Sequence, residues 1–101
     1  MKKVILSADS DKYIYLVPDK VAENLNEYCL YFCDDWLRNS SDAEKYHKTH
    51  ETEGFNYYEY TEADFIDYLN NFVFPEERSS LVENLGVYIP DEYIDLPKFN
   101  F

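Results

Sequence analysis

The sequence predicts an α+β domain in which a small antiparallel sheet, opened by an N-terminal hairpin, carries two main amphipathic helices on one face. Three observations lead there. Two short β-rich runs, Lys3 to Ala8 and Tyr13 to Val17, flank Asp9-Ser10-Asp11-Lys12, a polar turn whose Asp and Ser side chains can bond their own backbone. Apolar residues then recur at Val21, Leu25, Tyr28, Phe32 and Trp36, which is the helical period. A second stripe, Phe65, Leu69 and Phe72 with Ile66 and Val73 beside it, ends before Pro75.

The elements follow in chain order. Pro18 pre-sets the first turn of a helix running from about Pro18 to Arg38, and Asp19 complements the positive end of its dipole. Cys29 and Leu37 extend its buried stripe. Asn39-Ser40-Ser41 breaks the pattern, and Ser41-Asp42-Ala43-Glu44 reads as a capping box that starts a mostly polar, exposed helix reaching about Thr49. Gly54 interrupts. Phe55 to Tyr60 reads as a strand, with Phe55 and Tyr57 on one face and Tyr58 and Tyr60 spoiling the alternation. Thr61 is placed to cap the helix that carries the second stripe.

Beyond Pro75 the pattern weakens. Ser80 to Asn84 fits a strand or one helical turn, and Leu85-Gly86-Val87-Tyr88-Ile89 fits a turn into an extended segment. Pro90 and Pro97 exclude a long helix. Tyr93 to Phe101 is expected to cross the domain as a C-terminal arm, anchored through Ile94, Leu96, Phe99 and Phe101. Residues 1–101 thus form one acidic domain, with residues 93–101 as its arm.

Composition supports an ordered fold. The chain has 101 residues, 46% hydrophobic and 19% aromatic, with two Gly and four Pro, enough to bury a core and too rich in rings for acidic disorder. The apolar run after Lys2-Lys3 is too short for a signal peptide, and no stretch approaches a membrane span. A cytoplasmic location is therefore expected, and the sequon Asn39-Ser40-Ser41 has no meaning there. Cys29 and Cys33, one turn apart on a helix, have poor geometry for a disulfide and are expected to be reduced core thiols.

Charge is the most telling feature. Of 21 acids and 9 bases, giving a net charge of -12, twelve acids and only two bases lie from Glu51 onward, together with most of the rings. Such a surface repels nucleic acid and attracts something basic. Nucleophile elbows and glycine-rich phosphate loops are absent. Paired carboxylates at Asp34-Asp35, Glu76-Glu77 and Asp91-Glu92 have no His, Lys or Ser beside them suited to acid–base work and read as solvated faces. No enzymatic role and no cofactor follow.

Cys29-x3-Cys33-x13-His47-x2-His50 nearly matches the spacing of a Cys2His2 zinc site. Its cysteines, however, continue an apolar helix where such a site needs a turn, so core thiols and two solvent histidines are the plainer reading. Asp9-Ser10-Asp11 resembles part of a calcium loop but lacks the remaining ligands. His47-Lys48-Thr49-His50-Glu51 lacks the order of a zincin motif.

The segments Val17-Pro18-x-x-Val21-Ala22-x-Asn24-Leu25-x-x-Tyr28-Cys29-x-x-Phe32-Cys33-x-Asp35-Trp36-Leu37, Phe72-Val73-Phe74-Pro75-Glu76, Leu81-Val82-Glu83-Asn84-Leu85-Gly86 and Phe99-Asn100-Phe101 carry a similarity that extends over nearly the whole chain. Their pattern resembles a family of short, acidic, uncharacterised proteins of anaerobic Gram-positive bacteria, to which no activity is assigned. The resemblance implies a bacterial, cytoplasmic, single-domain protein and transfers no site residues.

The expected function is a protein-interaction module for a basic protein surface, an adaptor or an inhibitor that mimics nucleic acid. Tyr57, Tyr58, Glu59, Tyr60, Glu62, Asp64 and Asp67, where rings and carboxylates interleave, are the expected partner-binding residues. The plainer reading is that half these rings are core and the acids keep the domain soluble. The alternative function is a metal-binding or redox protein using Cys29, Cys33, His47 and His50. The apolar arm also leaves a homodimer open.

Overall fold

The computed structural model describes residues 1–9, 11–49, 54 and 56–101. Strands β1 (Lys2–Ser7) and β2 (Lys12–Val17) form the expected hairpin, in register from Lys2 opposite Val17 to Ser7 opposite Lys12. Asp9 turns the chain with a φ of 85°, a left-handed conformation that a short polar side chain tolerates. Strand β5 (Ser80–Gly86) pairs antiparallel with β2, and β6 (Lys98–Asn100) pairs parallel with β1. The spatial order is therefore β5-β2-β1-β6, a mixed sheet in which only the C-terminal strand departs from the antiparallel arrangement.

Between hairpin and β5 lies the helical layer. It consists of α1 (Asp19–Glu23), α2 (Leu25–Tyr31), a π-helical turn at Phe32–Trp36, α3 (Leu37–Asn39), a 3-10 turn at Ser41–Tyr46, α4 (Glu62–Tyr68) and a second π-helical turn at Leu69–Val73. The helix expected over 18–38 is present but broken at Asn24, whose φ of -132° leaves the helical region. Its side-chain amide donates to the Lys20 carbonyl at 3.0 Å, replacing a backbone donor at the break.

The polar helix expected to reach Thr49 stops at Tyr46. Ala43 and Tyr46 are buried and pin the 3-10 turn, and the cap is Ser40, whose hydroxyl accepts from the Asp42 amide at 3.2 Å, where Ser41 was expected. The chain then extends into β3 (His47–Thr49), which pairs with β4 (Asn56–Tyr58) in a ribbon separate from the main sheet. The expected strand over 55–60 is thus confirmed at 56–58, while Phe55 lies outside the described residues. At the start of α4 the Asp64 carboxylate accepts from the Thr61 amide at 2.8 Å, half of the reciprocal capping box there.

One face of the sheet, Val4, Leu6, Tyr15 and Val17, packs against Val21, Leu25, Phe32, Leu37, Phe65 and Leu69 from the helices. The alternate residues Ile5 and Ile14, opposite one another, point to the other face and are still 2% and 1% exposed. They are covered because β5 and β6 lie at opposite edges and the chain joining them must cross a face. Lys3, on the Ile5 side, holds its ammonium 5.9 Å from the Tyr93 ring centroid, and Ile5 and Ile89 line a common cavity of about 120 Å³. The crossing runs between Gly86 and Lys98, and the arm expected over 93–101 comprises its second half together with β6. The arm's anchors are Phe99 and Phe101, packed on the helical core, whereas Ile94 stays 54% exposed.

Phe32 is the hub of that core. Its ring meets those of Trp36, Tyr60, Phe65, Tyr68 and Phe101, with centroids between 5.2 and 6.0 Å. Phe32→Ala removes one ring and loosens five others, so we expect a loss of about 3–5 kcal/mol, read by urea denaturation. Asn70 is buried and clamps the approach to β5, donating to the Ser79 carbonyl at 3.1 Å and accepting from the Ser79 amide at 2.6 Å. Asn70→Ala strands both groups and should cost about 1–3 kcal/mol in the same assay.

Candidate functional site

The seven residues expected to bind a partner differ in exposure. Tyr57 is 40% exposed, and Glu59 and Asp67 are exposed. Tyr60 is half-buried, edge-on to Phe32 at 5.7 Å and to Phe101 at 6.2 Å, with its hydroxyl donating to the Cys33 sulfur at 3.5 Å. Glu62 is buried, and the Asp64 carboxylate is engaged by the helix start. Tyr58 is half-buried, with the Arg38 guanidinium 5.5 Å from its centroid and the His47 ring edge-on at 4.8 Å. Lys48 stands directly across the ribbon from Tyr57. The ribbon therefore sets its tyrosines beside basic side chains that the local sequence around β4 lacks, His47 and Lys48 from β3 and Arg38 from α3.

The metal-ligand spacing fares as follows. Cys29 is fully buried within the core, Cys33 is half-buried beneath Tyr60, and the exposed His47 donates through Nε2 to the Leu37 carbonyl. Burial pushes both thiols above their ordinary pKa, most strongly at Cys29, so neither is poised as a thiolate. His50 and Ser10 lie outside the described residues. Among the described residues no three His, Cys, Asp or Glu side chains gather as a metal site would need.

Aromatic rings and a carboxylate do come together elsewhere, between α1 and α2 on one side and the end of α4 on the other. Lys20, Asn24, Glu27, Tyr28 and Tyr31 recur at three- and four-residue spacing along one side of α1 and α2, and with Tyr68 of α4 they line a groove of about 470 Å³. Its floor and wall are aromatic. Tyr28 leans on Phe74 at 6.1 Å, and Trp36 lies 4.9 Å from Tyr68 and 5.2 Å from Phe72. The π-helical turns face each other here through Trp36 and Phe72.

Tyr31 is 52% and Phe72 49% exposed, so two rings remain at the surface beside the groove. Phe72 had been expected in the buried stripe of its helix. The wider π-helical turn rotates it out over Trp36, a change that periodicity alone does not reveal. Tyr31 carried a weak signal: it falls off the Tyr28–Phe32–Trp36 stripe, which marks a ring with no core position to fill. Exposed carboxylates of Glu27, Asp34 and Asp35 flank these rings, and Asp35 accepts from the Asn39 side chain at 3.2 Å.

The wider electrostatic setting is one of unpaired negative charge. Among the described residues two ion pairs form, the N-terminal ammonium with Asp19 at 2.8 Å and Lys2 with Glu23 at 3.1 Å. Both bind the N-terminal edge to α1. A scan against protein-family models, a search of curated proteins and a search of solved structures each find no match to this chain.

Buried phenols give the fold a measurable alkaline limit. Burial, as the leading cause, raises Tyr15, Tyr60 and Tyr68 from 10.0 to about 12; Glu62 adds to the effect at Tyr15, Cys33 at Tyr60 and Tyr31 at Tyr68. The unfolded chain gives up these protons near pH 10 while the folded chain keeps them to about 12. Their contribution to stability is complete below pH 10 and is lost as pH rises through 12. Urea denaturation across that window should show the midpoint falling, with a late phenolate absorbance phase near its upper end.

Proposed function

We propose that this protein is a protein-interaction module that binds a basic protein surface, acting as an adaptor or an inhibitor, with nucleic-acid mimicry as the form of inhibition. The observation that carries the reading is an excess of 21 acids over 9 bases that the fold does not neutralise internally, since only two ion pairs form among the described residues. Uncompensated charge of one sign destabilises a compact chain through self-repulsion and becomes favourable when an opposite surface docks. Exposed rings at Tyr31, Tyr57, Phe72 and Tyr88 add the rigid amphipathic area that interface anchors use. A bacterial, cytoplasmic setting, implied by the sequence resemblance, belongs to the same proposal.

Attraction of this kind is screened by salt and governs the on-rate. The test is to immobilise the protein, present its native lysate at low salt, elute with a salt step or with duplex DNA, and identify what leaves. Basic proteins displaced by both eluants are the expected result. Retention indifferent to salt, or no specific retention, would contradict the reading.

A further inference from the structure

We infer that the groove between α2 and the end of α4 receives a lysine or arginine side chain from the basic partner, held against the rings of Tyr28 and Tyr31 and the exposed edge of Tyr68. The inference rests on the proposed function and adds to it where, and by what chemistry, the partner is gripped.

Shape comes first. The groove's volume of about 470 Å³ admits an aliphatic stem with a charged head, and Tyr28, Tyr31 and Tyr68 line it together with Lys20, Asn24 and Glu27. A tyrosine face is negative through its quadrupole and attracts an ammonium or guanidinium within about 6 Å of its centroid. Among the described residues this fold makes that contact with its own cations in Lys3 on Tyr93 at 5.9 Å, Arg38 on Tyr58 at 5.5 Å and Lys45 on Tyr46 at 5.0 Å. The groove's own cation, Lys20, sits exposed at the rim and engages none of these rings among the described residues.

Charge selects the occupant. Glu27 lines the groove, Asp35 is close enough to act electrostatically on the Tyr68 phenol, and the molecule as a whole carries -12. Lys20 and Glu27 in the lining offset one another, so it is the net charge of the molecule that disfavours a phosphate, a carboxylate or a nucleic acid here. A second copy of this chain would bring another -12 and is disfavoured for the same reason. Tyr31, half-exposed and three residues after Tyr28 on the same helix, is positioned to close over a side chain once it enters.

The experiment is calorimetric titration of the full chain with two unstructured octapeptides, one alternating Lys with Gly and one alternating Arg with Gly, at low salt. Three variants are compared with the parent: Tyr31→Ala, Tyr31→Phe and Glu27→Gln. Tyr31 and Glu27 are surface residues, and circular dichroism of each variant confirms that it is folded. Tyr31→Ala removes no charge, so it should weaken binding about five- to thirtyfold while the salt dependence stays that of the parent. Tyr31→Phe, which keeps the ring face, should bind within about twofold of the parent. Glu27→Gln should weaken binding and flatten its salt dependence.

Peptide binding that Tyr31→Ala leaves unchanged would overturn the groove while leaving the basic-partner reading in place. Failure of the parent to bind either peptide would overturn that reading and the groove with it. Self-association of the protein without peptide, abolished by Tyr31→Ala, would make a second copy the occupant and overturn the assignment of a basic side chain.

Discussion

The contact on which this small domain depends is the meeting of the Phe32 ring with Trp36 of its own turn, with Phe65 and Tyr68 of α4, with Tyr60 just before that helix and with Phe101. Trp36 stacks on it at 5.7 Å with an interplanar angle of 17°, and Tyr60, Phe65, Tyr68 and Phe101 approach at tilted or edge-on angles. Such pairs are favourable beyond the area they bury, because ring edges meet ring faces. Phe101 ties this cluster to the sheet, since its amide donates to the Ser7 carbonyl at 2.8 Å at the end of β1. Helices, sheet and C-terminus are thus closed around one side chain. A chain of 101 residues with a net charge of -12 needs that concentration of apolar contact to offset its own repulsion.

The same crowding shapes the surface. Aromatic residues in excess of what the core can hold must emerge somewhere, and they do so where the two π-helical turns abut. Trp36 is nearly buried beneath Phe72, Tyr68 is buried beside the groove, and Tyr28 and Tyr31 are left at its edge. Core and candidate site are therefore continuous: the rings that stabilise the fold become, one layer further out, the rings that face a partner. Among the described residues Glu27, Asp34 and Asp35 around them form no ion pair, which makes an external basic surface their natural complement.

Much of the architecture is legible in the sequence because it rests on period and punctuation. The hairpin around Asp9, the helical stripe from Val21 to Trp36 and the stop before Pro75 each follow from local chemistry. Strand β5 was ambiguous for a physical reason: Val82 and Leu85 are extra residues with no partner on β2, two bulges that erase the alternation by which a strand is known. Gly86, at a φ of 74°, then turns the chain toward its crossing. The parallel pairing of β6 was equally invisible, since it depends on a partner more than ninety residues away in sequence. The candidate site was less legible than the fold. Tyr57 to Asp67 interleave rings and acids along the chain, but packing of Tyr60 against Phe32, burial of Glu62 in the first turn of α4 and the Asp64 cap turn these three inward or into local bonds. The groove assembles instead from residues forty apart, and only the packing of α2 against α4 brings Tyr28 and Tyr31 to Tyr68.

The central claim, that a basic segment docks on the aromatic groove and not on the acidic surface at large, is tested most directly by nuclear magnetic resonance. The isotopically labelled protein would be titrated with the lysine-containing octapeptide, and the shifted backbone and tyrosine ring signals mapped. The account predicts that the largest changes fall on Glu27 to Asp35 and on Tyr68 to Phe72. Changes of similar size spread over Glu76, Glu77, Glu83, Asp91, Glu92 and Asp95, or centred on the β3–β4 ribbon, would contradict it.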